Sequence, residues 1–137
     1  MRAGHVHTKI IFFATAFCAI AVSAQEDRAV PYDGHWVATI QVPQGARYKS
    51  QITISDYRGD FRGALGKMSP SYKACKSDKF PITVHESNDT ELQFSVWGRS
   101  VSPNCPDLMF VLKPVDATKH SFEGTVGSLG NVSLLKR

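Results

Sequence analysis

Apolar residues recur at every second position of this chain, in short runs that begin at Gly34. In the first run Trp36, Ala38 and Ile40 stand at alternate positions. A period of two indicates half-buried antiparallel strands, because successive side chains of a strand point to opposite faces. No segment of the sequence shows the 3.6-residue period of a helix over a length that would predict one. The pattern therefore predicts an all-β fold for residues 34–137.

About eight strands can be counted, and most of their connections are short and rich in turn residues. The runs cover residues 35–42, 48–55, 61–65, 80–85, 91–97, 107–113, 120–126 and 131–135. Arg58-Gly59 suits a hairpin turn, since glycine supplies the positive φ that tight hairpins need. Residues 66–79 have no clear period and are predicted to form a long loop. We expect an up-and-down meander closed into a small barrel, which removes exposed sheet edges, with a β-sandwich as the alternative.

The first 24 residues have the composition of a secretory signal peptide. Two basic residues precede an apolar run that is short for a membrane span, and the segment ends in Val22-Ser23-Ala24. We predict cleavage after Ala24, followed by an irregular leader at residues 25–33 and a single domain at residues 34–137. The short apolar run does not favour stable membrane insertion.

Cleavage would change the size and the charge of the chain. It would leave 113 of the 137 residues, enough for one domain with a modest core. Because two of the sixteen Lys and Arg residues lie in the signal segment, the net charge would fall from +4 to +2. A charge this small does not favour a nucleic-acid partner.

Two of the three cysteines, Cys75 and Cys105, lie beyond the predicted signal peptide. An even number of cysteines in an exported chain favours a disulfide. In the chain-entropy model, a loop of this length is worth about 3.6 kcal/mol of stability. The pair lacks the Cys-x-x-Cys spacing of redox motifs, and two distant cysteines supply too few ligands for zinc.

The tripeptide Gly34-His35-Trp36 opens the first predicted strand. It resembles the Gly-x-Trp that opens the first strand of small secreted calycin-like barrels, the lipocalin-like and avidin-like proteins. The resemblance implies a meander barrel in which Trp36 closes one end against a basic residue near the chain end. Arg137 is the nearest candidate for that residue, and we take Trp36 as a structural residue.

Basic and aromatic residues interleave in and before the long loop. Six basic residues fall within 22 positions: Arg58, Arg62, Lys67, Lys73, Lys76 and Lys79. The predicted disulfide would join this loop to residues 98–106 and bring Tyr72, Lys73, Trp97 and Arg99 into one neighbourhood. Because Trp, Tyr and Arg are enriched at interface hot spots, we predict these four as partner-binding residues.

Signals for catalysis are weak. His35, His85 and His120 would make an open zinc site only if they converged, and strand alternation points His35 and His85 toward solvent. The chain has no Gly-x-Ser-x-Gly elbow. Asp56 and Asp60 are more typical of a hairpin turn than of an acid–base pair. We predict no catalytic residue, no metal site and no cofactor; a metal-dependent enzyme that uses the three histidines is the second alternative.

The predicted function is therefore binding outside the cytoplasm, in a periplasm or in the extracellular space. We expect recognition of a protein partner through the two loops, as an inhibitor or an immunity protein does. An anionic glycan would suit the same basic surface. The first alternative is a carrier of a small apolar ligand, which needs an interior cavity of a few hundred Å³.

Overall fold

The computed structural model describes Gly4 and residues 32–137. The predicted signal peptide and most of the predicted leader lie outside the described residues. Eight strands are described: β1 (Gly34–Gln41), β2 (Arg47–Ser55), β3 (Arg58–Arg62), β4 (Lys79–Ser87), β5 (Leu92–Val96), β6 (Leu108–Pro114), β7 (Ser121–Val126) and β8 (Gly130–Lys136). Between β3 and β4 lie the short helix α1 (Leu65–Met68) and a 3₁₀ turn (Pro70–Tyr72). Within the described ranges, no helix has the length and hydropathy to cross a bilayer.

The eight strands form one closed antiparallel barrel. Each strand pairs with the next along the chain, and β8 pairs with β1 to complete the wall. This closing register runs from Trp36 opposite Lys136 to Gln41 opposite Asn131. The predicted up-and-down barrel is confirmed, and the β-sandwich alternative is wrong.

Large apolar side chains fill the interior of the barrel. The largest fully buried ones are Trp36 and the five phenylalanines Phe61, Phe80, Phe94, Phe110 and Phe122. The rings of Phe94 and Phe110 stack with their centroids 4.5 Å apart. These residues come from different strands and share the inward face, as the period of two predicts. The alternation of apolar and polar residues in the sequence thus produces a core filled by large apolar side chains.

The hairpin between β2 and β3 turns two residues earlier than predicted. Asp56 and Tyr57 occupy the turn with φ values of 51° and 64°, the positive pair that a type I′ turn requires. Gly59 instead lies in β3 opposite Ile54, where a Cβ would stand 1.7 Å from the carbonyl oxygen of Thr53. The predicted Arg58-Gly59 turn is wrong, because Gly59 lies where β2 and β3 approach each other closely and not in the turn.

Trp36 closes the end of the barrel at which β1 begins, which we call the tryptophan end. Its indole N–H donates a hydrogen bond of 3.0 Å to the Tyr32 carbonyl oxygen, and its ring packs edge-on against Phe122. The Nζ atom of Lys136 lies 5.7 Å from the indole centroid, within the range of a cation–π contact. The basic residue near the chain end is therefore Lys136 rather than Arg137.

Tyr32 belongs to the core, although the sequence pattern places it in the irregular leader at residues 25–33. Its ring packs edge-on against Phe122 at 4.8 Å, and its hydroxyl donates to the carbonyl oxygen of Asn88 at 2.6 Å. Burial raises the pKa of this hydroxyl above its usual value. The packed domain thus begins at least two residues before Gly34.

Ser50 is an exception in the apolar interior. It is 2% exposed and lies opposite Ala38, and its hydroxyl has no hydrogen-bond partner among the described residues. An unpaired buried hydroxyl costs roughly 1–3 kcal/mol. We therefore expect Ser50→Ala to raise the free energy of unfolding by about 1 kcal/mol in urea denaturation. Ser95→Ala is the matched control and should lower it, because the Ser95 hydroxyl is bonded to His85 at 2.6 Å. Equal losses in both variants would contradict the assignment.

Candidate functional site

Two loops cover the end of the barrel opposite the tryptophan end. Residues 63–78 connect β3 to β4, and residues 97–107 connect β5 to β6. The disulfide Cys75–Cys105 joins them, with the two Cα atoms 4.7 Å apart. We call this pair of loops the disulfide-linked end. The predicted disulfide is confirmed, and a disulfide suits a chain that folds in an oxidising compartment.

The first loop is anchored by three apolar side chains. Leu65, Met68 and Tyr72 are buried in the same core as the barrel interior. Their spacing of three and then four residues places them on one side of α1 and the 3₁₀ turn that follows it. The sequence contained this signal, but two helical turns are too short to stand out from an irregular loop. Anchored in this way, the loop presents its lysines on a fixed support.

The second loop packs closely over the disulfide. Gly98 leaves no room for a side chain, since a Cβ would stand 2.3 Å from the Pro106 carbonyl oxygen and 2.7 Å from Cys105 Sγ. The backbone N–H of Arg99 donates to Asp107 Oδ1 at 3.0 Å, which ties the two ends of the loop together. The loop therefore has a fixed backbone beside exposed polar side chains.

Two of the four predicted contact residues are exposed on these loops. Lys73 follows the 3₁₀ turn, and its backbone N–H donates to the Pro70 carbonyl oxygen at 3.2 Å. Arg99 lies in the second loop, and its side chain is also exposed. The disulfide connects the two loops that carry these cations. Both residues are available to a partner.

The two aromatic residues predicted to contact a partner pack against the protein itself. Tyr72 is 6% exposed and serves as a core anchor, so we remove it from the contact surface. Trp97 is half-buried on the outer wall, where its indole N–H donates to Thr83 Oγ1 at 2.9 Å. Its ring stands edge-on to His85 at 6.1 Å. Trp97 is thus the first residue of the second loop but packs against the outer wall, and of the four predicted contact residues Lys73 and Arg99 are exposed.

Charge is distributed unevenly along the described chain. Residues 47–79 carry eight Lys and Arg against three Asp, whereas residues 80–137 carry five against six Asp and Glu. In the first loop Lys67, Lys73 and Lys76 are all exposed. Turns at the tryptophan end carry Asp56, Asp89, Glu91 and Asp116, with Lys119 bonded to Asp89. The disulfide-linked end is therefore the more basic of the two ends.

The three histidines of residues 32–137 lie apart and on the surface. His35, His85 and His120 are exposed, as alternation predicted for the first two. Within residues 32–137, no group of three His, Cys, Asp or Glu residues is arranged to hold a metal ion. His85 Nε2 lies 2.6 Å from Ser95 Oγ, which also contacts the thioether of Met109 at 3.8 Å. Ser95 is buried, so its hydroxyl makes contacts within the barrel wall and is not accessible to a substrate.

Hollows of ligand size lie outside the barrel wall. One of about 640 Å³ is lined by Thr39, Lys113 and Glu123, and another of about 560 Å³ by Lys49, Arg62 and other residues. Both have exposed polar side chains at their edges. The barrel interior itself is filled by large apolar side chains.

No family model, no curated protein and no solved structure matches the chain.

Proposed function

We propose that this chain is an exported binding protein that recognises an acidic surface of a protein partner through its disulfide-linked end. The observation that carries the proposal is the joining, by a disulfide, of a basic loop at residues 63–78 to a second loop that exposes Arg99. Lys73 and Arg99 lie on these loops, and Lys67 and Lys76 add further charge. The role would be that of an inhibitor or an immunity protein, in a periplasm or in the extracellular space.

Rigidity supports this surface as a contact surface. A loop that is ordered before binding loses less conformational entropy when its partner arrives. The first loop is anchored to the core by Leu65, Met68 and Cys75. Gly98 allows the second loop to pack against the disulfide. Basic side chains on such a support attract an acidic partner and raise the rate of association.

The experiment is capture of partners by the immobilised protein, from the secreted or periplasmic fraction of its own source. The variant Lys73→Glu/Arg99→Glu reverses two exposed charges at the disulfide-linked end. The control Arg58→Glu/Lys113→Glu makes the same change in net charge at exposed positions of β3 and β6. Far-ultraviolet circular dichroism checks that both variants fold.

We expect the wild type and the control to retain the same acidic protein, and the Lys73→Glu/Arg99→Glu variant to lose it. Loss of two favourable contacts and gain of two repulsive ones should weaken binding by at least about 100-fold. Capture should also weaken as salt is raised, because exposed charges are screened. Equal retention by both variants would show that the contact surface lies elsewhere.

A further inference from the structure

At the beginning of β2, the ladder to β3 is shorter than the ladder to β1. Along β2, residues 47–50 pair with β1, but the ladder to β3 starts only at Gln51 opposite Arg62. Beyond Arg62 the chain leaves the wall, with the Gly63 N–H bonded to the Asp78 carbonyl oxygen at 2.9 Å. The β2–β3 ladder therefore has a gap beside residues 47–50, although Ser50 still packs against Gly63.

A hollow of about 560 Å³ lies at this gap, and we call it the wall hollow. It is lined by small residues, Gly63 and Ala64, and by the longer side chains of Lys49, Arg62 and Arg137. A second hollow of about 300 Å³ adjoins it and shares Gln51 and Arg137 with it. The volume falls within the range of small-ligand sites, although the hollow is open to solvent.

The charges around the wall hollow are mostly positive and unpaired. Among the described residues, Lys49, Arg62 and Arg137 form no ion pair within 4.0 Å, since the ion pairs present join Lys79 to Asp60 and Lys119 to Asp89. Asp78 is the acidic residue in the lining. Three cations against one carboxylate leave a positive potential in a concave surface, which concentrates anions.

Ser50, which faces the barrel interior, lies behind the hollow. Ser50 lines it, and the hydroxyl of this residue is the buried group that has no hydrogen bond among the described residues. That hydroxyl packs against Gly63, where a Cβ would stand 2.3 Å from it. The outer surface of the wall is thus concave, polar and positively charged at this place.

We infer that the wall hollow binds the oxyanion group of a small ligand, a phosphate or a carboxylate, between Lys49, Arg62 and Arg137. Guanidinium groups present paired N–H donors that fit both oxyanions, and the lysine adds a point charge. The negative charge of Asp78 repels the anion and lowers the affinity of the site for it. The site is distinct from the contact surface at Lys73 and Arg99, and it does not depend on a protein partner.

The test is a titration of the ¹⁵N-labelled protein with inorganic phosphate at fixed ionic strength, followed by amide chemical shifts. We expect saturable shifts at Gln51, Gly63 and Ala64 with a dissociation constant on the order of 1 mM. Arg62→Gln should weaken binding by about fivefold, the effect of one exposed charged contact. Asp78→Asn should strengthen it by a similar factor.

Arg58→Gln is the matched control, because it removes the same arginine charge from an exposed position of β3 outside the wall hollow. It should leave the dissociation constant unchanged. A second titration with N-acetyl-aspartate methylamide distinguishes a free phosphate from a carboxylate presented on a side chain; tighter binding of either identifies the source. Weak shifts spread over all basic segments, or equal responses to Arg62→Gln and Arg58→Gln, would overturn the inference.

Discussion

Trp36→Ala is expected to lower the free energy of unfolding by about 3–5 kcal/mol, the usual cost of removing a large buried aromatic ring. The ring is 1% exposed, and its loss would leave a cavity beside Phe122 at the tryptophan end. The change would also remove the hydrogen bond to the Tyr32 carbonyl oxygen and the contact with Lys136. Urea denaturation followed by far-ultraviolet circular dichroism measures the effect.

Trp97→Ala provides the matched comparison, because it removes the same side chain from the outer wall. Trp97 is half-buried and bonded to Thr83, so we expect a loss of about 1–2 kcal/mol. A loss from Trp36→Ala no larger than that from Trp97→Ala would contradict the assignment of Trp36 as the closing residue. Should Trp36→Ala fail to fold, Trp36→Phe keeps a ring in the core and should still be clearly destabilised.

Cys75→Ala/Cys105→Ala is expected to cost about 3.6 kcal/mol, because a disulfide that closes a loop of this length restricts the unfolded chain. The two cysteines are 30 residues apart. For a domain whose total stability lies at about 5–15 kcal/mol, this is a large share. The same urea experiment measures it, and unfolding of the wild type under reducing conditions should give a similar loss.

The structural effect of the same variant should be confined to the disulfide-linked end. The barrel ladders do not depend on the disulfide, so the β1–β8 pairing should keep its amide protection in hydrogen exchange, whereas residues 63–78 and 97–107 should exchange faster. A stability loss below about 1 kcal/mol, with unchanged exchange in both loops, would show that packing alone holds this end.

The sequence predicted the barrel well because strand alternation is a local signal. Each inward residue can be recognised from its own neighbours along the chain, as in the run from Trp36 to Ile40. The burial of Tyr32 could not be recognised in this way, because it depends on Phe122 and Asn88, which are distant in sequence. The role of Gly59 likewise depends on the Thr53 carbonyl oxygen of the neighbouring strand.

The candidate site was predicted in part. Composition located the basic residues, and cysteine parity located the bridge, so Lys73 and Arg99 follow from the sequence. Tyr72 was assigned to the surface because aromatic residues are frequent at interfaces, yet its spacing from Leu65 and Met68 directs it into the core. The wall hollow could not be predicted, since it results from the early end of β3 at Arg62.

The measurement that tests the binding proposal most directly is hydrogen exchange of the protein with and without its captured partner. We expect protection to appear in residues 63–78 and 97–107, around Lys73 and Arg99, while the turns at residues 88–91 and 115–120 remain unchanged. Protection confined to those two turns, or to the outer wall away from the disulfide, would contradict recognition through the disulfide-linked end.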